Sequence, residues 1–288
     1  MKKLVSFLLA AGMAVMSLSA QETEKKQYLP EAGDWAIGFD AKPILNYFGN
    51  IFNGATDNSL APLGGEPTLN FGPTVSIMGK YMLTDEFAVK ANLGVLVNTD
   101  KQAYYIQDDA ATILDPLSNA KVADYRASRN TGLSLMAGGE YRLGKKRIQG
   151  VFGAGVLVGV RKNVVKYSYG NEMTTINQRP TVAESFSGRV WSGDYRTIKE
   201  FSNRPNIYAG LTGSAGVEFY VAPKIALGAE VSVVAAYNFN QQTYTISEGY
   251  NPSTEIIERK TDLVSPMTGS FYLGTQNLGG SLYVSFYF

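Results

Sequence analysis

Around three short turns the chain alternates between side chains suited to hydrocarbon and side chains that carry full charge. With the aromatics beside those turns, Tyr81, Tyr141 and Phe219, as reference, one parity collects Val75, Ile77, Leu133, Leu135, Leu211, Val217, Val231 and Val233. The other collects Asp40, Lys42, Lys80, Lys90, Glu140, Arg142, Arg161, Glu218 and Glu230. A period of two is that of a β-strand, whose successive side chains point to opposite sides of a sheet. Two arrangements tolerate such faces. A soluble sheet packs its apolar face on a second layer and wets the charged one. A sheet closed on itself turns the apolar face to lipid and the charged face inward. Charges on the lipid side are excluded by cost. Each Lys or Arg near the midplane costs about 2–4 kcal/mol, and half of this set would consume the roughly 5–15 kcal/mol that holds a domain folded.

Strong alternation recurs over 35–45, 69–83, 87–98, 131–143, 148–169, 206–221, 225–246 and 280–288. The connections alternate in length. TDE (84–86), GKKR (144–147) and APK (222–224) are tight turns, whereas 46–68, 99–130, 170–205 and 247–279 are long and polar. A weak repeat marks the short turns: a glycine, a charge and an aromatic, then a turn and an alternating strand. Its spacing of about 60–75 residues exceeds a solenoid period, so it reads as one hairpin recurring within one sheet.

The two ends differ from ordinary frayed termini. Residues 1–20 run from Lys2 and Lys3 through an apolar stretch, Leu4 to Met16, to the small residues Ser17, Ser19 and Ala20. That is the layout of a cleaved secretory signal, too short for the roughly 20 residues a spanning helix needs. No cysteine follows it, which excludes a lipid-modified amino terminus. Residues 21–34 then form a short lead and 35–288 one domain. In GGSLYVSFYF, Leu282, Val284, Phe286 and Phe288 share one face and Ser281, Tyr283, Ser285 and Tyr287 the other. A soluble sheet exposing such an edge invites aggregation. Together with the long and short rhythm, this favours a closed membrane barrel over a secreted soluble sandwich.

The signal-like start, the GGEYRL-type hairpin (138–143) and the terminal SLYVSFYF (281–288) resemble the small Gram-negative outer-membrane β-barrel proteins, the family that includes OmpA amino-terminal-domain and OmpX-like barrels. The resemblance implies an all-β, eight-stranded antiparallel up-and-down transmembrane β-barrel in the cell outer membrane. Short turns and both termini would be periplasmic, the long loops extracellular. It also implies that Leu282, Val284, Phe286 and Phe288 form the signal read by the barrel-assembly machinery. Two departures stand out. No peptidoglycan-binding domain is expected after Phe288, and 148–169 and 225–246 exceed the 9–11 residues a tilted strand needs to span.

An eight-stranded interior is only wide enough for side chains to fill it. The ionised set, near balance in sign, is expected to form a paired plug. The alternative is a small porin or channel, if AESFSGRVWSGDYRTI (183–198) contributes strands that widen the lumen. The chain has 26 Lys+Arg, 25 Asp+Glu and no histidine, so neither nucleic-acid binding nor histidine-based hydrolysis is expected. Asp108 and Asp109, with Asp115 and Asp124 nearby, are the best carboxylate candidates; adjacent loop acids are more often merely solvated, and they lack the Ca²⁺-loop pattern. No enzyme activity, cofactor or metal is expected. Aromatics crowd the long segments. Tyr104, Tyr105, Tyr125, Trp191 and Tyr195 are candidate contacts for an extracellular ligand or protein partner. Tyr167, Tyr169 and Tyr244 read as interface girdle or strand packing. The function expected is a non-enzymatic barrel, structural or presenting its surface loops.

Overall fold

The computed structural model describes residues 28–40, 75–144, 146–275 and 281–288. In chain order the first strands are β1 (Trp35–Asp40), β2 (Val75–Met82) and β3 (Phe87–Gln107). Helix α1 (Asp109–Leu114) leads to β4 (Lys121–Leu143) and β5 (Ile148–Ser168). Helix α2 (Glu184–Val190) precedes β6 (Trp191–Ser192), β7 (Tyr195–Ser202), β8 (Asn206–Ala222) and β9 (Ile225–Asn240). The remainder is β10 (Thr243–Asn251), β11 (Ile256–Ser265), β12 (Thr268–Thr275) and β13 (Ser281–Tyr287).

Eight of these strands form a closed antiparallel ring, β1-β2-β3-β4-β5-β8-β9-β13, with β13 returning to β1. Ala36 pairs with Tyr287 and Phe39 with Val284 across the closing seam. The exposed residues give the ring its outside. Ile77, Leu93, Val95, Leu133, Leu135, Val156, Val158, Leu211, Val217, Val231 and Val233 are all solvent-exposed on one parity. In register, Val95, Leu133, Val160, Ile207 and Phe239 make one apolar row over five strands. At the short-turn end the same face carries Trp35, Tyr81, Phe87, Tyr141, Phe219 and Phe288. Trp35 and Phe288 pack with ring centroids 5.0 Å apart.

The short-turn end is sealed twice. Ala36, Met82, Ala88, Tyr220, Ala226 and Tyr287 form a buried cluster within it, on which Tyr28 and Leu29 pack. The lead is stitched to the turns by Ala32 N–H donating to Asp85 (2.9 Å), Lys224 N–H donating to the Tyr28 carbonyl (3.1 Å) and a 2.9 Å ion pair between Lys224 and Asp34. The Arg147 guanidinium lies 3.7 Å from the Tyr28 ring centroid. Residues 28–34 are therefore a lid on the rim; the rest of the lead, the signal-like segment and Lys42 lie outside the described residues.

At the opposite end three expectations are corrected. The segment 99–130 is mostly strand: β3 and β4 stay in unbroken register up to Gln107 and Lys121, with α1 at the tip. The alternation fades at Asn98 because above the apolar band polar side chains occur on both faces, while the ladder needs no such pattern to continue. The stretch 225–246 is two strands: β9 ends at Asn240, where Gln241 N–H donates to Asn206 (2.8 Å), and β10 leaves the ring to pair with β7. The segments 170–205 and 247–279 hold β6, β7, β10, β11 and β12. None of these widens the ring. They extend it, β7 pairing with the end of β5 and β12 with the end of β9.

The interior is fitted large against small. A Cβ at Gly228 would overlap the ring of Tyr283, its register partner on β13. Gly228→Ala is expected to cost about 1–3 kcal/mol through overpacking. Thermal unfolding followed on a heat-modifiability gel should show the loss.

Candidate functional site

Inward-facing positions just above the sealed rim bring together six charges from five strands. Lys80 stands on β2, Lys90 on β3, Glu140 and Arg142 on β4, Glu218 on β8 and Glu230 on β9. All are buried, with relative exposures of 0–5%. Lys80 Nζ donates to Glu140 and Glu218, at 2.6 Å each. Lys90 pairs with Glu230 and lies 3.5 Å from Glu140. Arg142 pairs with Glu218 and lies 3.4 Å from Glu140. Three cations thus meet three carboxylates, and the set is neutral.

Tyrosines complete the coordination. The Tyr283 hydroxyl donates to Glu218 Oε1 at 2.9 Å, and those of Tyr220 and Tyr287 donate to Oε2 at 3.1 Å. Glu218 therefore accepts from three hydroxyls, an ammonium and a guanidinium. Such charge-assisted bonds are the strong class, and full pairing is what allows ions to persist away from water. Small residues make the room: Lys80 is in register with Ala36, Lys90 with Gly138, Glu140 with Ala88 and Gly153, and Glu230 with Gly216. Lys80 and Lys90 are direct register partners on β2 and β3, and Glu140, Glu218 and Glu230 reach them from β4, β8 and β9, long side chains spanning strands that run about 4.8 Å apart.

Of the remaining members of the predicted set, Asp40 is in β1 on the inward parity, but its side chain lies outside the described residues. Arg161 is half-buried on the inner face of β5, farther up the ring, and is not part of the cluster. The tyrosines that coordinate Glu218 were given no role from sequence; for Tyr283 and Tyr287 their parity in SLYVSFYF, opposite to Leu282 and Phe286, was the available signal, and for Tyr220 its parity with Glu218.

The long-loop end has its own core, on the inner side of the extension. Ile106, Val165, Tyr167, Ala183, Phe186 and Val190 are buried together, with Tyr169 and Trp191 packed against them. Tyr104 meets Phe186 edge to face at 5.1 Å. Trp191 opens β6, half-buried, with the Arg179 guanidinium 5.3 Å from its ring. Lys101 lies over Tyr125 at 4.5 Å and Lys260 over Tyr195 at 4.1 Å. Of the five aromatics, only Tyr105 projects strongly, at 80% exposure. Tyr244 stacks on Phe201, centroids 5.8 Å apart.

The acids at the tip have structural partners rather than bare solvent. Asp108 caps α1, accepting from Ala111 N–H at 3.1 Å. Asp109 accepts from Thr181 N–H at 2.7 Å and Asn177 at 2.8 Å. Asp115 accepts from Leu117 N–H at 3.0 Å. Asp124, fully buried, accepts from Gly170 and Ala183 N–H, both at 2.9 Å. An acid directly before an Ala-rich turn was a legible helix start.

Beyond residue 166 strands β5 and β7 separate, and a cleft of about 710 Å³ opens there. Lys166, Tyr169, Arg196, Lys199, Ile246 and Arg259 are among its lining residues. Arg196 is tied to Glu248 (2.9 Å) and to the Asn171 carbonyl (2.9 Å), with its guanidinium over Tyr169. Burial pushes the Tyr169 hydroxyl above the ordinary tyrosine range against the opposing pull of Arg196, so it stays a neutral donor to the Thr197 carbonyl.

No protein-family model matches the chain, and no curated protein does. Among solved structures it is similar to the Escherichia coli outer membrane protein W in solution, at 12% identity and a TM-score of 0.30, covering 90% of this chain and 100% of that one. It is also similar to the crystal structure of the outer membrane protein OprG of Pseudomonas aeruginosa, at 13% identity and a TM-score of 0.30, covering 91% and 99%. Likenesses at that score assign no ligand and no activity.

The neutral cluster predicts an asymmetric response to mutation. Glu218→Leu strands Lys80 and Arg142 beside a single remaining carboxylate and should destabilise by about 3–5 kcal/mol. Adding Lys80→Met restores charge balance and should recover most of that loss. Urea titration of the two variants in detergent checks both.

Proposed function

We propose that this chain is a β-barrel of the Gram-negative outer membrane whose interior is closed to passage, and that it works as a non-enzymatic platform holding an elaborate surface region above the bilayer. One observation carries the reading: the ring exposes apolar side chains and buries a neutral set of ions within, each beside an opposite charge. In water that outer face would be a contiguous apolar patch far beyond the few hundred Å² a soluble monomer exposes. In lipid it is the required surface, and ring closure leaves no backbone edge unsatisfied. On β5 the outward apolar positions run from Ile148 to Val160, about 40 Å along a strand and roughly 30 Å of height once tilted, matching a hydrocarbon core. The aromatics at the short-turn rim suit the membrane–water interface.

The eight-strand count and the trimmed and elaborate rims support the resemblance to OmpA amino-terminal-domain and OmpX-like barrels. On that reading residues 1–20 are a removed signal, 21–34 a periplasmic lead and 35–288 the barrel. The short turns are periplasmic, Leu282, Val284, Phe286 and Phe288 address the assembly machinery, and β7 with β10 to β12 stand outside the cell. The absence of histidine and the structural employment of Asp108, Asp109, Asp115 and Asp124 support a role without catalysis.

Purified protein in planar bilayers should show no ion conductance. Discrete current steps that change on substituting Arg142 or Glu218 would instead establish a channel. Leu135→Arg, on the outer face, should lose about 2–4 kcal/mol of stability in phosphatidylcholine vesicles. The same change at Leu117, exposed beside α1, should lose none. Equal effects at the two sites would refute the membrane reading.

A further inference from the structure

Directly above the apolar band the outer face changes character. In register, the row after Val95, Leu133 and Val160 is Val97, Thr131 and Lys162. The next is Thr99, Arg129, Val164 and Phe201, and the third is Lys101, Ala127, Lys166 and Lys199. Five cations thus fall on one side of four adjacent strands within three successive rows. The carboxylates of the same strands, Asp100, Asp124, Glu140 and Glu200, all take the opposite parity and face inward. Lys166 and Lys199 are direct register partners, a like-charge pairing that destabilises a sheet unless something neutralises it.

Among the described residues no carboxylate does so. Among the described residues, none of the five belongs to an ion pair; Lys101 lies over Tyr125 and Lys199 over Phe201 instead. From Lys162 to Lys166 the patch spans four residues along β5, roughly 13 Å of strand and about 10 Å of height, comparable to one leaflet's headgroup layer.

We propose that Lys101, Arg129, Lys162, Lys166 and Lys199 form a docking surface for the phosphorylated headgroup of a lipid in the leaflet on the long-loop side. This inference rests on the membrane reading and adds the ligand class. Position selects the occupant: on β3, β4 and β5 the cations continue directly from the band that acyl chains would cover, with Lys199 beside them on β7, so one molecule can satisfy both surfaces. A soluble anion would engage only the upper part.

The probe is diphosphoryl lipid A, added to the detergent-solubilised protein and read by native mass spectrometry. The variant is R129Q/K162Q/K166Q/K199Q, whose folding is confirmed by heat-modifiability. Loss of four interfacial charges should weaken lipid A binding by at least about tenfold. Wild-type binding should fall with salt and should resist millimolar inorganic phosphate. Equal binding by the two proteins would overturn the proposal, as would displacement by inorganic phosphate, which would mark a simple surface anion site. Insertion into phosphatidylcholine vesicles separates the two readings: both proteins should insert if the membrane reading holds, and failure of both would defeat that reading instead.

Discussion

The antiparallel ladder between Trp35–Asp40 and Ser281–Tyr287 decides what every other residue of the ring can be. Once the sheet closes, it has an inside and an outside, and each strand must commit its two parities to them. A one-residue slip of β13 at that seam would turn over its own two faces, placing Tyr283 and Tyr287 outside and Val284 and Phe286 within. Register is therefore fixed by burial as much as by turns. The short connections at 84–86, 144–147 and 222–224 need only join neighbours already in place.

Closure also makes the ionic interior affordable in physical terms. Removing six ions from water is unfavourable, and isolated pairs often fail to recover the desolvation. Here the charges balance, tyrosine hydroxyls donate to Glu218, and an alanine or glycine in register with Lys80, Lys90, Glu140 and Glu230 leaves those side chains room to cross the ring. On the proposed reading the same cluster also closes the lumen, which links stability to the lack of conductance.

How much of this was legible depended on whether two faces met different solvents. Where exposed apolar and buried charged positions contrast, as at Lys80 beside Tyr81 or Glu140 beside Tyr141, the period of two is legible in the sequence. Between residues 98 and 131 polar side chains occur on both faces, and the inward apolar residues Ile106 and Val122 come only near the tip, so β3 and β4 continue with little periodic trace and read as loop. The break between β9 and β10 was hidden for another reason. Its turn residues, Gln241 and Gln242, include neither Gly, Pro nor Asp, while Tyr244 and Ile246 keep the alternation running. The partner of β7 was not foreseeable at all, because pairing with three residues at the end of β5 is a tertiary choice.

Tyr28, Asp34 and Trp35 are held by Lys224 and Phe288, groups roughly two hundred positions away or more. Contacts of that separation form late, since the intervening chain must first be ordered. The rim can be fastened only after β9 and β13 have arrived, so a nascent or truncated chain would keep an unpaired β1 edge and an unfilled ring. The seam thereby acts as a checkpoint in time, making completion of the cylinder an all-or-none event at its narrow base.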